Sequence, residues 1–378
     1  LRRLQHFVVI GLAVLVGSIV LGHRYDNSNA EQLVESREVS QPGPSRPNAA
    51  APTLVGRQVC RECHAENFAL HAKHGHASTF HRVEETDLAG KFDGKTFDAG
   101  EGYGTYEYEA NEKGQLVTRL RSQFGDEPFP LQYVLGSGQH AQTMLTLAPG
   151  VDGQTEGIEH RVSYYPDSRI GLTPGHSKMQ PEQTLEYFGD ASKGEPLARC
   201  VYCHTTTSKI EKQEVVQLVA SVNCEKCHGP GSEHVRQARN NPKPPPFSVG
   251  HPDWDAESEI QLCGDCHRMP KSMGEKELRE YSDLLTRFQP IGMLRSQCYL
   301  ASDRQLRCTT CHNPHATIGQ STQSDHVSNC IECHQEDHDE QVACPESPKT
   351  GCIECHMPPI ELDQGLKFHD HWIRVRSK

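Results

Sequence analysis

One short pattern recurs seven times along this chain. Cys-x-x-Cys-His begins at Cys60, Cys200, Cys224, Cys263, Cys308, Cys330 and Cys352. The second cysteines are Cys63, Cys203, Cys227, Cys266, Cys311, Cys333 and Cys355. The histidines that follow them are His64, His204, His228, His267, His312, His334 and His356. Chance would supply about 0.04 copies at this composition and length, so the pattern needs a chemical reason. Two thiols three positions apart on a tight turn can form thioethers to the two vinyl groups of one haem. The adjacent histidine then lies beneath the porphyrin as the proximal iron ligand. A disulfide framework has no use for a histidine after every second cysteine. Zinc ribbons fit the Cys203–Cys224, Cys311–Cys330 and Cys333–Cys352 gaps, but leave the histidines unexplained and the first motif without a partner. Thioredoxin-like redox chemistry needs a βαβ setting that no motif has. The expected cofactors are seven covalently attached haems c.

Composition agrees. Only 35% of the 378 residues are hydrophobic and 6% aromatic, a thin supply for an ordinary core. The last six motifs fall within 200–356, about 30 residues per haem, so haem faces are expected to fill space that side chains otherwise fill. Lys and Arg number 38 against 50 Asp and Glu, a formal charge of −12. That balance excludes a nucleic-acid partner and favours redox partner proteins with basic surfaces.

The chain divides by texture. Arg2 and Arg3 precede an apolar run over 7–22, so 1–23 reads as a signal or N-terminal anchor segment, the anchor being preferred. Haem attachment to this motif occurs outside the bacterial inner membrane, so the expected location is periplasmic, tethered to that membrane. Residues 24–55 read as a flexible linker, 56–195 as the first motif plus a β-rich module, and 196–378 as a six-motif haem domain. Alternation over 105–109 and 116–120 about a turn at 111–114 predicts a β-hairpin, with further strands over 129–135 and 161–165. Residues 275–288 read as the best longer helix, and 241–246 as a rigid Pro-rich loop. The expected fold is mainly α with long loops, a multihaem cytochrome c fold organised around clustered haems, with a small β-rich insert between the first and second motifs.

With 23 histidines, enough remain beyond the proximal seven to supply distal ligands, which favours bis-histidine electron-transfer haems. CRECHAENFALHAKHGHASTF from Cys60 resembles the first motif of the cytochrome c-554 type multihaem family, which implies His76 as a ligand. YVLGSGQH from Tyr133, NCEKCHGPGSEH from Asn223, CTTCHNPH from Cys308 and FHDHWI from Phe368 are similar to other segments of that family. They imply His140, His234, His315 and His371, with His369 a rival to the last. His315 lies too close in sequence to His312 to reach the far face of the same haem, so it must serve a neighbour; the same holds for His234 against His228. His326 and His176 complete the distal candidates, with His338 a weaker one. His71, His74, His81, His160 and His251 read as surface or hydrogen-bonding residues. A disulfide between Cys298 and Cys344 fits an oxidising compartment. The resemblance implies an electron conduit of clustered c-haems. The alternative is an oxidoreductase acting on nitrite, hydroxylamine or tetrathionate at one open haem. No catalytic residue is assigned: Tyr164, Tyr165, Arg169 and Cys298 are polar candidates whose ordinary reading is structural.

Overall fold

The computed structural model describes residues 51–375, except 101, 122–126, 242, 244–248, 250–253, 335–343, 345, 347 and 348. The expected anchor, most of the linker, most of the Pro-rich loop, His251 and His338 lie outside the described residues. No helix among the described residues is long and apolar enough to cross a membrane.

The alternating stretches form strands. β1 (Phe80–Arg82), β2 (Thr96–Asp98), β3 (Thr105–Ala110), β4 (Leu116–Arg121), β5 (Pro128–Leu131), β6 (Tyr133–Leu135), β7 (Thr143–Pro149) and β8 (Thr155–His160) come first. β9 (Val162–Tyr164), β10 (Ile170–Leu172), β11 (Gly189–Lys193), β12 (Thr205–Glu211), β13 (Glu214–Ala220), β14 (Pro359–Glu361) and β15 (Lys367–His369) follow. β2-β3-β4-β5 make a four-stranded antiparallel sheet, and β1-β6-β7-β8-β11 a five-stranded one. β3 and β4 are the expected hairpin, with Tyr106 opposite Leu120 and Tyr108 opposite Thr118. These inward residues are buried, while Arg121 Nε meets Glu107 Oε1 outside at 2.8 Å, the in–out alternation of a half-buried sheet. The stretch 129–135 divides between two sheets at Gln132.

The mainly α expectation is wrong. Helix accounts for 39% of the structure and strand for 24%, in several small sheets. The period-2 patterning between 80 and 220 builds a platform rather than a small insert. β7 explains its size. Met144 joins a core with Val83, Leu88, Phe92, Tyr106, Tyr108, Leu116, Phe129 and Ile158. Leu145 and Leu147 point the other way, to Phe80, Tyr133, Leu197, Val201 and Val215. Covered on both faces, this sheet seats the Glu195–His204 helix, which carries the second motif. The rest of the chain has smaller apolar clusters, around Ile260 and Tyr299 and around Tyr281 and Ile291.

The helices are short. The expected helix over 275–288 stops at Glu280, because Tyr281 turns left-handed at φ 41° before a 3₁₀ segment, Asp283–Arg287. That backbone costs about 1 kcal/mol in a non-glycine residue. It lets the tyrosine ring pack edge-on against Trp372, ring centres 4.8 Å apart, and its hydroxyl donate to Asp370 Oδ1 at 2.9 Å. Tertiary contact overrides helical periodicity here.

Candidate haem site

Each motif sits on or at the end of a short helix. Cys224–His228 and Cys352–His356 are single turns made of the motif itself, and Cys308–Cys311 is shorter still. Ala256–His267 and Gln323–Ile331 approach with longer arms, capped by Asp255 and Thr322, whose side chains accept from Ser258 N and Asp325 N. One helical turn places residues three and four apart on the same face, so both thiols and the histidine of a motif present to one side. No disulfide joins any of the 16 cysteines. Cys298 and Cys344 are therefore not joined, contrary to the expected disulfide.

Four motif histidines face a second imidazole. His64 stands 6.3 Å from His234, ring centre to ring centre, with 26° between planes. His228 stands 6.2 Å from His315 at 6°. His267 is 6.1 Å from His76, and His312 is 6.2 Å from His371. Two imidazoles on opposite sides of one metal have centres about 6.2 Å apart, from about 2.0 Å of metal–nitrogen bond and about 1.1 Å from nitrogen to ring centre on each side. Direct ring stacking would be closer. The residues present therefore fit a bis-imidazole iron. His326 also approaches His312, at 5.6 Å and 61°. Among the described residues His204, His334 and His356 form no such imidazole pair. His140 instead lies against Phe368 at 4.9 Å. His176 is buried, with Nε2 3.5 Å from Glu159 Oε2.

Protonation and orientation suit metal binding, which takes a neutral imidazole. Burial holds His76 down to about 3 and His371 to about 4. Burial also lowers His204, His228, His267, His312 and His315. Several rings are fixed through Nδ1, which leaves Nε2 for a metal. His204 Nδ1 donates to the Thr79 carbonyl at 3.1 Å, His267 Nδ1 to Gln289 Oε1 at 3.2 Å, and His371 Nδ1 to the His369 carbonyl at 2.9 Å.

The surroundings of His371 were not legible as a motif. Asp370 is fully buried and accepts from Tyr281 Oη (2.9 Å), Trp372 N (3.0 Å) and Arg374 Nη1 (3.0 Å). Ser296 Oγ donates to the His371 carbonyl at 2.9 Å and accepts from Ile373 N at 2.8 Å. Gly292 lets the tail lie directly on the Gln289–Met293 helix, since a Cβ there would come within 2.7 Å of the His371 backbone. His369, the rival, turns its Nδ1 to the Met357 carbonyl at 2.6 Å.

The motifs touch in an order unlike their order in sequence. Motif three grips motif one: buried Glu225 accepts from Val55 N, Gly56 N and Gly231 N at 2.8, 2.9 and 2.8 Å. Gly229, at φ 80°, ends that turn so that the Ser232–Asn240 helix can carry His234 back toward His64. Motif four holds motif five through Glu259, which accepts from Thr309 N at 2.8 Å and Thr309 Oγ1 at 2.9 Å. The thiols of Cys263 and Cys308 meet there, as those of Cys330 and Cys352 do between motifs six and seven.

The residues given bland readings divide. His81 lies 3.4 Å from Ser221 Oγ, and His74 Nδ1 accepts from His76 N. His71 and His160 are buried rather than on the surface. Arg169 stacks on Tyr165 at 3.8 Å and donates to the Gln364 carbonyl at 2.7 Å.

A family profile described as cytochrome c554 and c-prime matches residues 174–229, the stretch holding motifs two and three. That match supports reading the chain as a multihaem c-type cytochrome. At a coarse level the same match supports covalently bound haem c and electron transfer. Outer cell wall cytochrome OcwA, a solved structure, is similar at 14% identity over 85% of this chain and 80% of that one, with a TM-score of 0.48. No curated protein matches this chain in sequence.

Proposed function

We propose that this chain is an exported multihaem c-type cytochrome that carries seven haems c and passes electrons along them without a substrate of its own. The supporting observation is the set of imidazole pairs at 6.1–6.3 Å across His64/His234, His228/His315, His267/His76 and His312/His371. Those pairs would hold four of the irons. His140, His176 and His326 are further distal candidates, lying against Phe368, Glu159 and His312. When bound, the haems supply one-electron chemistry and the protein sets their spacing and potential.

The chain's own residues order the path. His234 and His315 each leave the motif beside them and face the histidine of another, so neighbouring haems are held by shared chain. Nδ1 donation fixes the His267 and His371 rings, and burial favours neutral His76, His228, His267, His312, His315 and His371. The apolar run over 7–22 serves export, and the acidic surface steers basic-surfaced redox partners.

The test is haem quantification and EPR on one sample of the full cytochrome. About seven haems per chain with low-spin signals alone are expected. A high-spin signal worth about one haem, or metal analysis finding zinc at the motifs, would overturn the reading.

A further inference from the structure

Motifs two, three and four converge on one side chain. Lys226 lies between the two cysteines of motif three. Its Nζ donates to the Tyr202 carbonyl of motif two at 2.7 Å and sits 3.4 Å from the centre of the Tyr202 ring. Cys203 of motif two meets Cys266 of motif four, and its Sγ is 3.9 Å from the Asp265 carbonyl. Cys227 of motif three lies within electrostatic reach of Cys263 of motif four. The Lys226 ammonium acts on Cys203, Cys227, Cys266 and Asp265 together. A partly buried cation therefore stands where the motifs meet, with the Arg199 guanidinium also beside Cys203 on the motif-two side.

A fixed positive charge disfavours the ferric form of a nearby haem more than the ferrous form, because the ferric centre carries one more positive charge. Partial burial weakens solvent screening of that field. Asp265, held by Gln261 Nε2 at 2.7 Å, opposes it from the motif-four side. We infer that Lys226 is the potential-setting residue of a three-way junction, raising the haems of motifs two, three and four so that electrons collect there before leaving. This rests on the seven-haem reading above.

Spectroelectrochemical titration of the full cytochrome tests it, with haem counted on every sample. Lys226→Gln should move at most three components to lower potential. At the original midpoints, their reduced-to-oxidised ratio should fall about three- to tenfold. Lys226→Arg should keep the original potentials, and so should Lys276→Gln, an exposed lysine outside the motifs. Asp265→Asn should move the same components upward, which tests the junction even if Lys226→Gln folds poorly. Full haem with unmoved components, or all components moving alike, would overturn the inference. Too little haem in the unsubstituted protein would instead overturn the seven-haem reading.

Discussion

Replacing Asp370 by alanine should unseat His371. The carboxylate is fully buried and accepts from the Tyr281 hydroxyl, the Trp372 amide and the Arg374 guanidinium. Each hydrogen bond to a charged group contributes about 1.5–3 kcal/mol, and removing one partner of a buried ion pair costs about 3–5 kcal/mol. Arg374 keeps part of its exposure and its place 3.7 Å over the Trp372 ring, so the contributions do not add fully. About 3–5 kcal/mol is expected for the C-terminal hook. That exceeds what the Ser296 contacts can replace, so the tail carrying His371 should detach from the Gln289–Met293 helix. EPR reads the result: under the proposed pairing, a high-spin signal worth about one haem should appear that the unsubstituted protein should lack, because an iron held by His312 would lose its second imidazole. Asp370→Asn, which keeps the shape and one acceptor, should give a smaller effect of the same kind. Low-spin signals unchanged in Asp370→Ala, with a stability loss under about 1 kcal/mol, would refute the argument that the hook positions the ligand.

Two further outcomes follow from buried polar groups. His160 is fully buried between Tyr108 Oη at 2.9 Å and the Phe188 carbonyl at 2.8 Å, and burial lowers it from 6.5 to about 3. The unfolded chain therefore takes a proton that the folded chain refuses: this contribution is complete above pH 6.5 and is lost as pH falls toward 3. The slope is at most about 1.4 kcal/mol per pH unit. Denaturant titrations across that window should show the loss in the parent and less of it in His160→Gln; equal slopes would contradict the assignment. Glu225→Gln leaves one carbonyl oxygen where two carboxylate oxygens accepted three amides, and should cost about 2–4 kcal/mol. Faster proteolysis between motifs one and three should accompany the loss, and an unchanged cleavage rate would argue against Glu225 as their clamp.

Part of the candidate site was legible in the chain. Cys-x-x-Cys-His is local chemistry, since all three side chains act within one turn, so spacing alone names the cofactor. The β3–β4 hairpin was equally legible, because alternation and a four-residue turn are local too. His315 and His234 could be excluded from the haems of their own motifs by reach alone. The fold class was misread because motif density drew attention to the helices. The platform depends on β7 serving two cores through opposite faces, and no single stretch of sequence announces that.

The sequence by itself determined where paired thiols and an adjacent histidine recur, since that spacing is a property of a few adjacent atoms. Only the tertiary structure decided which imidazole faces which. His76 meets His267 and His371 meets His312 because sheets, a left-handed Tyr281 and a buried Asp370 bring distant segments within one metal's span. The same long-range folding sets Lys226 among three motifs, a juxtaposition of charge that depends on distances no linear pattern encodes.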